Sequence, residues 1–179
     1  MRRECMLPQM DAATIDRARA RPPLRLAAGD LEVVFEWAGD RWGHRIEHRG
    51  RLVAESVEGV GPTGDPRWPR SPALQEVSAE ETAAGSVLLA VGAAGRSHFS
   101  ASVAADPEVP DTVVVEVACR IREPAGWLGT TYRGATGDVA QVAAAAEGPP
   151  PRTVRWSYRL GPRGVVPEAA DGQVATRPA

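Results

Sequence analysis

Leu31-Glu32-Val33-Val34-Phe35-Glu36-Trp37 is the stretch on which the fold turns. Large apolar residues recur at every second position, Leu31, Val33, Phe35 and Trp37. Successive side chains of an extended chain point to opposite faces, so this spacing puts all four on one face of a strand. Gly39-Asp40 then offers a turn, and Arg41 to His48 runs back. A two-residue turn at 39–40 and a four-residue loop over 38–41 give the same register. Trp37 then faces Trp42, Phe35 faces His44, and Val33 faces Ile46. Arg49-Gly50 makes a second turn into a third strand, Arg51 to Glu58, with Val53 expected beside Ile46 and Glu55 beside His44. A slip of one residue would turn Phe35 and Trp37 to water, at several kcal/mol from roughly 25 cal/mol per Å² of apolar surface.

Outward from this meander the pattern repeats. Ser86–Val91 and Ser97–Val103 read as a hairpin across Gly92-Ala93-Ala94-Gly95. Thr112–Ile121 is the strongest strand, with Val113, Val115, Val117, Cys119 and Ile121 on one face. Val114 and Ala118 stand opposite, as in a central strand buried on both sides. Trp127–Tyr132 and Thr153–Leu160 follow, the latter with Val154, Trp156, Tyr158 and Leu160 facing in. Twenty valines against ten leucines favour strands, because branched side chains suit a pleated surface. The expected fold is all-β, an antiparallel sandwich or barrel of about eight strands. At most two short helices join it, over Asp11–Ala20 and the alanine-rich Asp138–Glu147. The expected boundaries are an N-terminal extension over 1–22, one β domain over 23–160 and a flexible tail over 161–179, rich in Gly, Pro and Ala.

The 179 residues are enough for one domain with a core that needs no staples. A net charge of −2 gives no basic surface for nucleic acid or anionic lipid. All 21 basic residues are arginine, which reads as compositional bias alongside the high alanine, glycine and proline content. Cys5 and Cys119 lie too far apart in sequence to suggest a disulfide framework or metal-ligand spacing. The N-terminal arginines precede no apolar run, and no run is long enough for a membrane span, so a cytoplasmic location is expected.

Two motifs suggest chemistry and fail on geometry. His44-Arg45-Ile46-Glu47-His48 fits the H-x-x-E-H pattern of inverted zinc peptidases, which requires a helix. On a strand, residues four apart are separated by about 13 Å, too far for one zinc with bonds near 2 Å. Gly95-Arg96-Ser97-His98-Phe99 lacks the second glycine of a nucleophile elbow, and on a strand Ser97 and His98 face opposite ways. No metal, cofactor or catalytic set is therefore expected from sequence.

The long segment Gly59–Ala73 carries Trp68 among prolines and glycines. Loops of this length are uncommon in compact domains unless they have a function of their own or are disordered. Trp68 either plugs one end of the sandwich or offers a stacking surface. The candidate ligand-binding set is Trp68, Arg96, His98 and Arg120. His44 and Glu55 are secondary candidates, His44 being either a satisfied core group or a pocket element. The segments 68–75, 94–100 and 118–120 resemble an uncharacterised family of short β-rich bacterial proteins. That resemblance implies that the Trp68 loop and the His98 strand belong together, and implies no activity. The expected function is a small-molecule or partner-binding module. The alternative is a hydrolase using His98 or His44 with a nearby carboxylate.

Overall fold

The computed structural model describes residues 21–167 and the strand at 174–177. The extension before residue 21, with the helix expected over Asp11–Ala20, lies outside them. Among the described residues every regular element is a strand, and no helix is long and apolar enough to cross a membrane.

Among the described residues thirteen strands, numbered along the chain, form two open antiparallel sheets that pack into a sandwich. The first sheet runs in the order β1 (Leu24–Ala28), β2 (Leu31–Trp37), β3 (Trp42–His48), β4 (Arg51–Ser56), β9 (Gly129–Gly134), β10 (Val139–Ala143), β13 (Val174–Arg177). The second runs β12 (Gly164–Pro167), β11 (Arg152–Gly161), β8 (Val113–Ile121), β7 (Ser97–Ala105), β6 (Gly85–Ala94), β5 (Glu76–Thr82). Between them lies one apolar core. Leu26, Leu31, Val33, Phe35 and Ile46 come from the first sheet, and the alternating positions of β6, β7, β8 and β11 come from the second.

The register of β2 against β3 is the expected one, with Trp37 opposite Trp42, Phe35 opposite His44 and Val33 opposite Ile46. The register of β4 is not. A bulge between Ile46 and Glu47 shifts β4 by one residue, so Ile46 faces Ala54 and Arg45 faces Glu55. A bulge places two residues of one strand opposite one of its partner and so reverses which face follows. Ser56 thereby comes to His44, whose backbone N–H it accepts at 2.9 Å, while Glu55 turns out to pair with Arg133.

Other boundaries also differ. The hairpin of β6 and β7 closes at Gly95-Arg96, with Ala94 opposite Ser97, so both strands are longer than expected. Asp138–Glu147 is not a helix. Its first half is strand β10, paired along its length with β9, and sheet hydrogen bonding overrides a weak alanine propensity. The sandwich also continues past Leu160, where β12 pairs with β11 and β13 pairs with β10, in place of the expected tail. The outer face of β8 is only half-covered at Val114 and Ala118, so β8 is central but buried on one side.

The segment from Val57 to Gln75 forms a strap from β4 of one sheet to β5 of the other. Ser71 Oγ donates towards the carbonyls of Val57 and Thr131, and the Trp42 N–H bonds the Leu74 carbonyl. At its far end Gln75 bonds both the N–H and the carbonyl of Ala93 through its side chain. Gly92 lets it lie this close, because a Cβ there would stand 1.8 Å from the Ala73 carbonyl oxygen. Gly92→Ala should therefore cost about 1–3 kcal/mol in denaturant unfolding, as overpacking does. Amide exchange at Ala93 should quicken. An unchanged midpoint would show that the strap does not bear on β6.

Candidate functional site

Beneath the strap, three inward-facing side chains make one chain of polar contacts. His44 Nε2 lies 2.6 Å from the Tyr132 hydroxyl, which lies 3.0 Å from the Tyr158 hydroxyl. β3, β9 and β11 supply them, so the chain crosses from one sheet to the other. Phe35 stacks on the His44 ring at 4.8 Å between centroids. Burial holds the imidazole neutral, with its pKa lowered to about 4, and pushes both phenols up, so they stay protonated. Either tautomer of a neutral His44 leaves Nδ1 buried without a hydrogen-bond partner.

Glu58 stands on the same cavity, just past β4. Its Oε1 accepts from Ser56 Oγ at 2.8 Å, and its Oε2 is buried and unpartnered. Burial raises its carboxyl to about 7, against the opposing pull of the Ser56 hydrogen bond and the Arg41 charge. Gly43 on β3 lies against it, a Cβ there falling at ordinary contact distance, 3.4 Å, from Glu58 Cγ. The cavity holds about 10 Å³, room for roughly one water. Phe35, Leu74, Val103 and Val117 wall it, and His44, Glu58 and Tyr158 line its polar side.

Of the residues expected to form a ligand site, the fold brings together His98 and Arg120 but not Trp68. His98 and Arg120 lie directly opposite each other on β7 and β8, exposed on the outer face of the second sheet. Arg96 sits beyond them in the hairpin turn, also exposed. Trp68 is 2% exposed and belongs to the core beneath the strap, so it presents no stacking face and joins none of them. It is the plug, not the platform. Of the secondary pair, His44 lines the cavity. Glu55 lies on the outer face of the first sheet, because the bulge turned it there.

Sequence pattern alone does not single out Glu58, Tyr132 and Tyr158. It holds one trace of them: the chain has two tyrosines, and a tyrosine at an inward strand position needs a partner for its hydroxyl. No family model matches the chain, and the comparisons with curated proteins and with solved structures found no match. The class this architecture defines is an open all-β sandwich with a polar cluster in its interior.

Proposed function

We infer that the protein is a small-molecule-binding module whose site is the interior cavity at His44, Glu58 and Tyr158. One observation carries this reading: His44 Nδ1 and Glu58 Oε2, two buried polar atoms on residues lining one cavity, have no partner. Each unmet buried group costs about 1–3 kcal/mol, a cost that a bound polar molecule removes. Between about pH 4 and pH 7 both side chains are neutral, so the site favours an uncharged hydrogen-bonding head over an anion. The cavity as it stands has room for about one water, so a ligand with a short aliphatic body enters only as the strap residues Ser71, Pro72 and Leu74 move aside. The apolar walls then receive that body. Cys119, a free buried thiol, agrees with a cytoplasmic location for such a module.

Propionamide, a short amide with both donor and acceptor, is the probe. In a two-dimensional amide NMR titration its addition should shift Gly43, His44, Glu58 and Ser71 in a saturable manner. Ala101→Leu, which fills the cavity from β7, should abolish the saturation. Diffuse, linear shifts in both proteins would remove the reading. The hydrolase alternative keeps one supporting observation, that His44 and the carboxylate of Glu58 line the same cavity. Against it, among the described residues neither cavity-side serine hydroxyl is bonded to the imidazole: that of Ser56 serves Glu58 and the His44 backbone, and that of Ser71 serves the carbonyls of Val57 and Thr131. Ester turnover by the purified protein that is lost in His44→Gln would favour it.

A further inference from the structure

We propose that Asp30, His48 and Asp111 form a binding site for a divalent transition-metal ion at the end of the sandwich away from the strap. Three separate segments build it. Asp30 lies in the turn between β1 and β2, and His48, at the end of β3, pairs with Leu31 next to it. Asp111 comes from the loop that leads into β8 of the other sheet. Each offers one ligand atom, and the three atoms lie within 4.8 Å of one another.

The His48 imidazole is the second observation. Its Nε2 faces inward, shut off from water and without a hydrogen bond, although the side chain as a whole is 23% exposed and Asp111 Oδ2 stands 3.8 Å away. That gap is too wide for a hydrogen bond. It is close to the separation of two ligands on one ion with bonds near 2.0–2.2 Å, roughly 3–4 Å. The carboxylates are also held in place. Asp111 Oδ1 accepts the Asp30 N–H at 2.7 Å, and Arg49 Nε holds Asp30 Oδ2 at 2.9 Å, leaving one oxygen of each free. Gly29 makes the approach possible, because a Cβ there would sit 2.1 Å from Asp111 Oδ1. Asp111 itself has a φ of 52°, and Asp106 steadies its loop by accepting the N–H groups of Glu108 and Val109.

An imidazole nitrogen with two carboxylates suits zinc, manganese or iron better than calcium or magnesium, which prefer oxygen alone. Three protein ligands leave at least one coordination position for water or substrate. An ion there would tie the β1–β2 turn and β3 of the first sheet to the entry of β8 in the second. This is not the H-x-x-E-H pairing, for His44 lies in the core under the strap while His48 lies at the far end of β3.

The test uses the full chain carrying Cys5→Ser and His98→Ala, which removes a competing thiol and imidazole. Zinc chloride is titrated by calorimetry, and cobalt(II) by its visible ligand-field bands. The expected result is one ion per chain at micromolar or tighter affinity, with a higher thermal midpoint. His48→Gln and Asp111→Asn should each weaken binding by at least about tenfold and cancel the thermal shift. Both variants should fold, since Nε2 of His48 bonds nothing and asparagine keeps the acceptor for the Asp30 N–H. Absence of binding at millimolar zinc and cobalt would overturn the proposal. So would variants that bind as the parent does.

Discussion

Trp68→Ala should lower the unfolding free energy by about 3–5 kcal/mol, the range for removing a large aromatic side chain from a packed core. The indole is 2% exposed and packs within the same core cluster as Phe35, Leu74 and Phe99. Its surroundings tolerate little rearrangement. A Cβ on Gly61 would stand 2.0 Å from the Trp68 carbonyl oxygen, and one on Gly126 would stand 3.2 Å from its ring. The exposed residues His98 and Arg120 should behave differently. His98→Ala and Arg120→Ala lie on an open sheet face and should each change stability by no more than about 0.5 kcal/mol. Urea unfolding of the three variants decides the matter. A Trp68→Ala loss under about 1 kcal/mol would mean that the strap does not close the sandwich.

Glu58→Gln and His44→Gln should give opposite changes in the pH dependence of stability. Glu58 has its carboxyl raised from 4.5 to about 7, so the folded state holds a proton that the unfolded chain gives up. Its contribution is complete below pH 4.5 and is lost as pH climbs through 7. The loss amounts to about 3 kcal/mol, each tenfold change in proton affinity being worth about 1.4 kcal/mol. His44 runs the other way. Its pKa falls from 6.5 to about 4, so its contribution is complete above pH 6.5 and is lost as pH drops through 4, again by about 3 kcal/mol. Between pH 4.5 and 6.5 the two slopes largely cancel in the parent protein. Glu58→Gln keeps the Ser56 hydrogen bond but cannot ionise. It should therefore gain up to about 3 kcal/mol relative to the parent at pH 8, and show stability rising with pH between 4 and 6.5. In His44→Gln stability should instead fall with pH between 4.5 and 7, whatever the absolute cost of the lost ring. Chemical denaturation at pH 5 and pH 8 measures both. Parallel pH profiles for the parent and Glu58→Gln would show that Glu58 is solvated rather than buried.

The first meander shows how far local pattern reaches. The alternation of Leu31, Val33, Phe35 and Trp37 and the two glycine turns are enough to place His44 opposite Phe35, because the side-chain period of two admits a single register with that face buried. The same alternation identifies β8 and β11 and the inward positions of their valines, Trp156 and Tyr158. Strands whose two faces are alike escape it. Glu76–Thr82 is exposed almost throughout and has no apolar stripe, and Gly164–Pro167 and Val174–Arg177 are short edge additions. These exist because a neighbour offers unpaired backbone groups, which no window of sequence contains.

All-β character, the inward face of each principal strand and the burial of Phe35, Trp156 and Tyr158 follow from the sequence by itself, since each rests on periodicity over a few adjacent residues. The sites do not follow. One bulged residue between β3 and β4 exchanged Glu55 for Ser56 beside His44 and brought Glu58 to the cavity. Asp30, His48 and Asp111 meet only because two sheets close on each other, from positions up to 81 residues apart. Trp68 became core rather than surface when the strap folded over the sandwich end. Such juxtapositions depend on how strands are offset and stacked, and a change of one residue in register moves a side chain to the opposite face. Tertiary packing therefore decided which polar groups share a site, while local pattern decided only which of them could point inward.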